Sequence, residues 1–107
     1  MREVDLATFA AAQRDGAVVI DVREPFEYVT DHVPGAQLIP MGELPSRRAH
    51  LPPGAPVYVI CASGNRSLAA AAFLARAGVD AWSVAGGTAG WVRAGYPVVR
   101  GTHAAGV

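Results

Sequence analysis

The chain has 107 residues, of which 51% are hydrophobic, and its nine arginines are balanced by nine acidic residues, so the formal net charge is zero. This length and composition fit one folded domain and exclude a disordered chain, and the neutral balance argues against a basic nucleic-acid-binding surface. A single Cys excludes an intramolecular disulfide and a Cys-rich zinc site. The longest wholly apolar run, 68–75, is far too short to span a membrane, and the charged N-terminus has no apolar secretory core. We therefore expect a cytoplasmic protein.

The first half of the chain alternates between helical and strand patterns. Asp5 can cap the first helix, and Pro25 suits the first turn of the second. The continuous apolar run at 17–20 is typical of a strand covered on both faces. In chain order, these patterns predict a helix over Leu6–Arg14, a strand over 17–20, a short helix from Pro25 to about Thr30, a strand over 36–39 and a weak helix over 41–49 that Pro45 interrupts.

The second half contains the clearest strand, Val57–Ile60, because it is β-branched and aromatic. Further along, the patterns predict a helix over 67–77, a strand over Ala81–Val84, a helix over 88–93 and a loosely held tail over 101–107. Strands separated by helices of about ten residues predict an α/β fold with a parallel sheet and right-handed crossovers.

The segment from Cys61 to Arg66 lies between the clearest strand and an Ala-rich helix. Ligands of open parallel sheets bind beyond the carboxyl ends of the strands. Small residues and Gly64 allow the backbone to curl so that its N–H groups point inward, which favours an anion next to a helix N-terminus. That anion can be the Cys61 thiolate, which needs about 2.7 kcal/mol of preferential stabilisation to predominate at neutral pH. The alternative is a buried, inert Cys at the end of a core strand.

The segment 61–67 resembles the active-site loop of rhodanese-like sulfurtransferases, in which Cys is followed by two residues, Gly, one residue, Arg and Ser. Three further blocks resemble the same family in order: 19–28, 32–36, and the Gly, Trp and Pro positions of 86–98. The resemblance implies a three-layer α/β sandwich of about five mostly parallel strands with helices on both faces.

The resemblance also implies that Cys61 is the catalytic nucleophile, which takes the outer sulfur of a donor and becomes a persulfide. The implied substrate-binding residues are those that follow it: Ala62, Ser63, Gly64, Asn65, Arg66 and Ser67. Asp21 and Arg23 are implied to support the pocket, although Arg23 can instead form a structural ion pair with Glu27 or Asp31. His32 belongs to a structural turn in the family, and a preformed thiolate needs no general base.

We expect no cofactor and no metal, since three scattered histidines and one Cys form no metal-ligand spacing. Because no second Cys can resolve the persulfide, we expect an external thiol or cyanide acceptor, with thiosulfate, a small persulfide or a sulfur-carrier protein as donor. Arg66 is the only charged residue of the loop, so thiosulfate should be an inefficient donor. We expect no nucleic-acid or membrane partner, and a monomer.

Two other functions remain open. The fold can serve as a non-catalytic module for partner binding or regulation, although silent rhodanese modules generally lack the Cys. A Cys-dependent phosphatase is disfavoured because its loop is one residue longer than the segment between Cys61 and Arg66, as a tetrahedral phosphate requires.

Overall fold

A parallel β-sheet of five strands forms the centre of the molecule in the computed structural model, which describes residues 2–104. The strands lie in the order β1-β5-β4-β2-β3, and every pair is parallel. Their bounds are β1 Glu3–Val4, β2 Val18–Asp21, β3 Gln37–Leu38, β4 Val57–Ile60 and β5 Ala81–Val84. Because the sheet is parallel, all the carboxyl ends lie at one edge, and β4 occupies the middle.

Within residues 2–104, four α-helices connect successive strands and a fifth follows β5: α1 Leu6–Arg14, α2 Pro25–Thr30, α3 Leu44–Arg47, α4 Asn65–Arg76 and α5 Gly87–Arg93. The Asp5 carboxylate accepts a hydrogen bond from the Thr8 N–H at 2.8 Å, as the predicted cap of α1 requires. A capping box between Glu24 and Glu27 begins α2. Across residues 2–104, the helices are too short or too polar for any of them to cross a membrane.

The two faces of the sheet are covered by different helices. Alternate residues of β4 point to opposite faces: Val57 and Val59 pack with α3 and α4, whereas Ile60 packs with α1, α2 and α5. Phe9 and Trp91 are fully enclosed on the second face and meet edge to face, with ring centroids 5.4 Å apart. This arrangement confirms the predicted three-layer α/β sandwich with helices on both faces.

Most predicted bounds are within one residue of the structure, and the larger differences lie at β1, in residues 41–50 and at the start of α4. The strand β1 was missed, because two residues beginning with a polar Glu3 give no strand pattern. The predicted weak helix over 41–49 is divided into the 3₁₀ turn Met41–Glu43, the short helix α3 and the 3₁₀ turn Arg48–His50, since Pro45 cannot donate within a continuous helix. The helix predicted over 67–77 begins two residues earlier, at Asn65.

The segment 101–104 makes several hydrogen bonds with α2 and the turn after it, although we predicted it to be loosely held. The Gly101 N–H donates to the Val29 carbonyl at 2.9 Å, and the Gly35 N–H donates to the Ala104 carbonyl at 2.8 Å. His32 is fully buried, and its Nε2 lies 2.7 Å from the His103 carbonyl. Residues 101–104 are thus held against the body of the domain. The rest of the predicted tail, 105–107, lies outside the described residues.

Candidate active site

Cys61 lies directly after β4, at the carboxyl edge of the sheet, and is followed by a tight loop that leads into α4. The turn depends on Gly64, which precedes α4 with a φ of +107°, a left-handed conformation that side chains disfavour. Because the helix begins at Asn65, Arg66 and Ser67 belong to its first turn. The curled loop beside a helix N-terminus that the sequence predicts is therefore present.

The sulfur of Cys61 is enclosed by hydrogen-bond donors. The Gly64 N–H donates to Sγ at 3.1 Å and the Ser67 N–H donates to it at 3.3 Å. Burial raises the pKa of the Cys61 thiol, but hydrogen bonds from Ser67, Gly64 and Ser63 outweigh burial, so the pKa lies below its ordinary value. Cys61 is only 1% exposed and contacts the apolar core, yet its surroundings favour the thiolate.

Two buried hydroxyl groups, those of Ser67 and Ser83, form a hydrogen-bonded chain that leads to the Cys61 sulfur. The Ser67 Oγ lies 3.4 Å from the Cys61 Sγ and 2.7 Å from the Ser83 Oγ of β5. The Ser67 hydroxyl has one proton, which can point either at the Gly64 carbonyl, 3.2 Å away, or at the sulfur when Cys61 is a thiolate, while Ser83 donates to the Ser67 oxygen. Sequence reasoning missed Ser83, whose signal is a polar residue within the apolar strand β5.

The N-terminal turn of α5 holds the backbone of the loop from the other side. The Thr88 N–H donates to the Cys61 carbonyl at 2.8 Å, and the Ala89 N–H donates to the Ala62 carbonyl at 3.0 Å. Gly87 permits this approach: a Cβ there would lie 2.6 Å from both carbonyl oxygens. Gly87, which belongs to the block at 86–98 that resembles the family, is thus packed against the loop.

Asp21 and Arg23 form a buried ion pair at the end of β2. Asp21 is fully buried and Arg23 is 4% exposed. The Arg23 guanidinium donates from Nε and Nη2 to the two carboxylate oxygens, each at 2.9 Å, and Nη2 also donates to the Asp31 carbonyl at 2.6 Å. Arg23 therefore pairs with Asp21 and lies 3.9 Å from the Asp31 carboxylate, whereas the predicted alternative partner Glu27 is engaged elsewhere.

Glu27 pairs with Arg66, the one charged residue of the loop. The two side chains meet in bidentate geometry, with Nη1–Oε1 at 2.8 Å and Nη2–Oε2 at 2.9 Å. The Arg66 guanidinium, through hydrogen bonds to Glu27, holds the pKa of that carboxyl at about 2. The sequence predicted a cation at Arg66 but not its partner, which lies 39 residues away in the chain.

An open pocket of about 350 Å³ lies beside the loop. Ala62 forms part of its wall, and the exposed Ser63 and Asn65 lie on the outer surface of the loop. The other walls come from α5 and from the turn around α2, and the lining residues are Arg23, Asp31, Ala62, Thr88, Ala89, Val92 and Arg93. The predicted site residues thus come together at one edge of the sheet, next to a pocket large enough for a small substrate.

The His32 side chain stacks and hydrogen-bonds within the structure around α2. Its ring stacks on Tyr28 with centroids 3.6 Å apart, and Nδ1 lies 2.8 Å from the Tyr28 carbonyl. Nε2 faces the His103 carbonyl, so both ring nitrogens are engaged with the main chain. This placement fits the structural turn that the family resemblance implies.

Comparison with known proteins agrees with this fold. The sequence matches the family model of the rhodanese-like domain over residues 5–94. It is 39% identical over 90 residues to thiosulfate sulfurtransferase GlpE of Pseudomonas fluorescens, covering 81% of this chain and 80% of that protein. It is 34% identical over 93 residues to an uncharacterized Synechocystis protein, covering 86% of this chain but spanning only 52% of that one. The crystal structure of a rhodanese-related protein from Thermoplasma volcanium matches with a TM-score of 0.87 and 37% identity, covering 92% of this chain and 98% of that chain.

Proposed function

The chain belongs to the rhodanese-like domain family, and on that premise we propose that it is a sulfurtransferase that carries a sulfane sulfur on Cys61 as a persulfide. The observation that carries the proposal is the pair of N–H groups, from Gly64 and Ser67, that donate to Sγ at 3.1 and 3.3 Å. A buried thiol without such donors would have a raised pKa and little reactivity.

The first half-reaction loads the sulfur. The Cys61 thiolate attacks the outer sulfur of thiosulfate, a bond forms between the two sulfurs, and the S–S bond of the donor breaks. Sulfite leaves with the electron pair, and Cys61 becomes a persulfide anion. Donors on the loop backbone stabilise this anion at its new position, as preorganised N–H groups do for developing negative charge.

The second half-reaction unloads the sulfur. A thiolate or cyanide attacks the outer sulfur of the persulfide, the S–S bond breaks, and the electron pair returns to Cys61 as thiolate. The acceptor leaves as a persulfide or as thiocyanate. The acceptor comes from outside because Cys61 is the only Cys of the chain.

The loop residues have separate roles in this scheme. Gly64 and Ser67 stabilise the sulfur, while Ala62, Ser63 and Asn65 form the surface that a donor meets. Arg66 orients the loop through its ion pair. The ion pair of Asp21 and Arg23 supports the adjoining wall of the pocket without touching the sulfur.

The test is to incubate the protein with thiosulfate, remove the excess and measure the intact mass. We expect a gain of one sulfur atom that cyanide removes as thiocyanate. The Cys61→Ser variant should gain none, although it keeps the size of the side chain close to the original. No adduct from thiosulfate or from a small persulfide would refute the proposal and favour a non-catalytic binding module.

A further inference from the structure

Several hydrogen bonds fix the position of the Glu27 carboxylate in its ion pair with Arg66. Glu27 also accepts a hydrogen bond from the Glu24 N–H at 3.0 Å within the capping box of α2, so its carboxylate is held from two directions. Its side chain is 21% exposed, and that of Arg66 is 40% exposed. Two parallel N–H···O bonds to an ionised carboxylate are among the stronger ion-pair geometries. Arg66 is therefore already neutralised before any donor arrives.

Charges around the loop balance as a whole. Arg23 is matched by Asp21, and Asp31 lies 3.9 Å from the same guanidinium. Arg93 lines the pocket and forms no salt bridge within the described part of the chain. The three cations of this region, Arg23, Arg66 and Arg93, thus equal in number its three carboxylates, Asp21, Glu27 and Asp31. A doubly charged donor approaching the Cys61 thiolate finds no net positive charge to offset the repulsion.

We propose that Glu27 determines donor specificity: by neutralising Arg66 it disfavours the thiosulfate dianion and directs Cys61 toward sulfane donors that carry a single negative charge, such as the persulfide of a small neutral thiol. This inference rests on the proposed sulfurtransferase function. With such a donor, the Cys61 thiolate attacks the outer sulfur, the donor S–S bond breaks, and the carrier leaves as a thiolate with the electron pair. Glu27 is a positioning residue that acts through Arg66 and does not touch the reacting atoms.

The donor charge can be varied with little change in shape. Methanethiosulfonate has the same outer sulfur as thiosulfate, but a methyl group replaces one charged oxygen, so it is a monoanion. In Glu27→Gln, the amide keeps a hydrogen bond to Arg66 while one negative charge is lost. In a largely solvated site, we expect the loss of this one charge to change kcat/KM by about three- to tenfold for each unit of donor charge.

The experiment measures kcat/KM for both donors, with cyanide as acceptor, in the wild-type protein and in Glu27→Gln. We expect the thiosulfate-to-methanethiosulfonate ratio to rise about three- to tenfold in the variant, mainly through the KM for thiosulfate, and the rise to shrink in high salt. Asp15→Asn removes one exposed charge from the opposite edge of the sheet and should leave the ratio unchanged. A loosened loop would slow both donors alike, so an unchanged ratio in Glu27→Gln overturns the inference.

The wild-type protein supplies a second measurement that does not depend on a variant. Its kcat/KM for each donor is divided by the uncatalysed rate of that donor with free cysteine, which corrects for intrinsic reactivity. The corrected value should be higher for methanethiosulfonate, and a higher value for thiosulfate overturns the inference. If neither donor loads Cys61, the proposed function fails and this inference fails with it. If both donors load Cys61 but the ratio of their kcat/KM values is the same in Glu27→Gln as in the wild type, only this inference fails.

Discussion

Gly87→Ala tests whether α5 shapes the loop around Cys61. A Cβ at Gly87 would lie 2.6 Å from the carbonyl oxygens of Cys61 and Ala62, a separation that real Cβ atoms essentially never show. The loop must then move away from α5 and weaken the hydrogen bonds from Thr88 and Ala89 to these two oxygens. The φ of +58° adds strain for any side chain.

The expected magnitude follows from these two effects. Overpacking against the rigid backbone costs about 1–3 kcal/mol, and the left-handed conformation costs about 1 kcal/mol. We therefore expect the free energy of unfolding of Gly87→Ala to fall by about 2–4 kcal/mol. Because the loop N–H groups lose their alignment with Sγ, the pKa of Cys61 should rise and kcat/KM for sulfur transfer should fall about tenfold or more.

Gly95→Ala is the matched control. Gly95 lies just beyond the other end of α5 and has a φ of +84°, but a Cβ there meets no atom within 4 Å. The free energy of unfolding of Gly95→Ala should fall by only about 1 kcal/mol, and the variant should keep its sulfur-transfer activity. Urea denaturation measures stability, and the pH dependence of alkylation by iodoacetamide measures the pKa of Cys61. Equal stability, equal thiol pKa and equal activity in the two variants would refute the role that we assign to the contact at Gly87.

Three further predictions concern polar groups around the site and α2. Ser67→Ala removes a hydroxyl 3.4 Å from the Cys61 Sγ, so the thiol pKa should rise and alkylation at neutral pH should slow about tenfold; an unchanged rate would contradict this. Because Glu27 has its pKa lowered from 4.5 to about 2, its ion pair with Arg66 stabilises the fold above about pH 4.5, and this contribution is lost as the pH falls toward 2. Acid titrations should show a smaller loss of stability over that range in Glu27→Gln, and curves parallel to the wild type would contradict the prediction. His32→Phe keeps an aromatic ring but removes the ring N–H that can donate to the Tyr28 or the His103 carbonyl, so thermal unfolding should show a loss of about 1–3 kcal/mol, and an unaltered Tm would be inconsistent with this role.

Local patterns were sufficient for most of the architecture. The strands β4 and β5 agree with their predicted bounds, because continuous β-branched and apolar runs have a strong local preference for a buried parallel strand. Boundaries were less accurate where a glycine changes the path of the backbone, as at Gly64, whose left-handed turn starts α4 at Asn65 rather than at the predicted residue 67. The strand β1 has two residues, begins with a polar one and depends on pairing with β5, so no local pattern predicts it.

Residues close together in the chain are enough to predict the α/β order, the position of Cys61 after the central strand and the small-residue loop around its sulfur. The groups that contact this loop follow only from the folded arrangement: Glu27 on Arg66, Ser83 on Ser67, and Gly87 against the Cys61 carbonyl. These partners come from three different elements that the parallel sheet gathers at one edge. Their meeting depends on sheet order and helix packing, which act over tens of residues and leave no pattern within the loop itself.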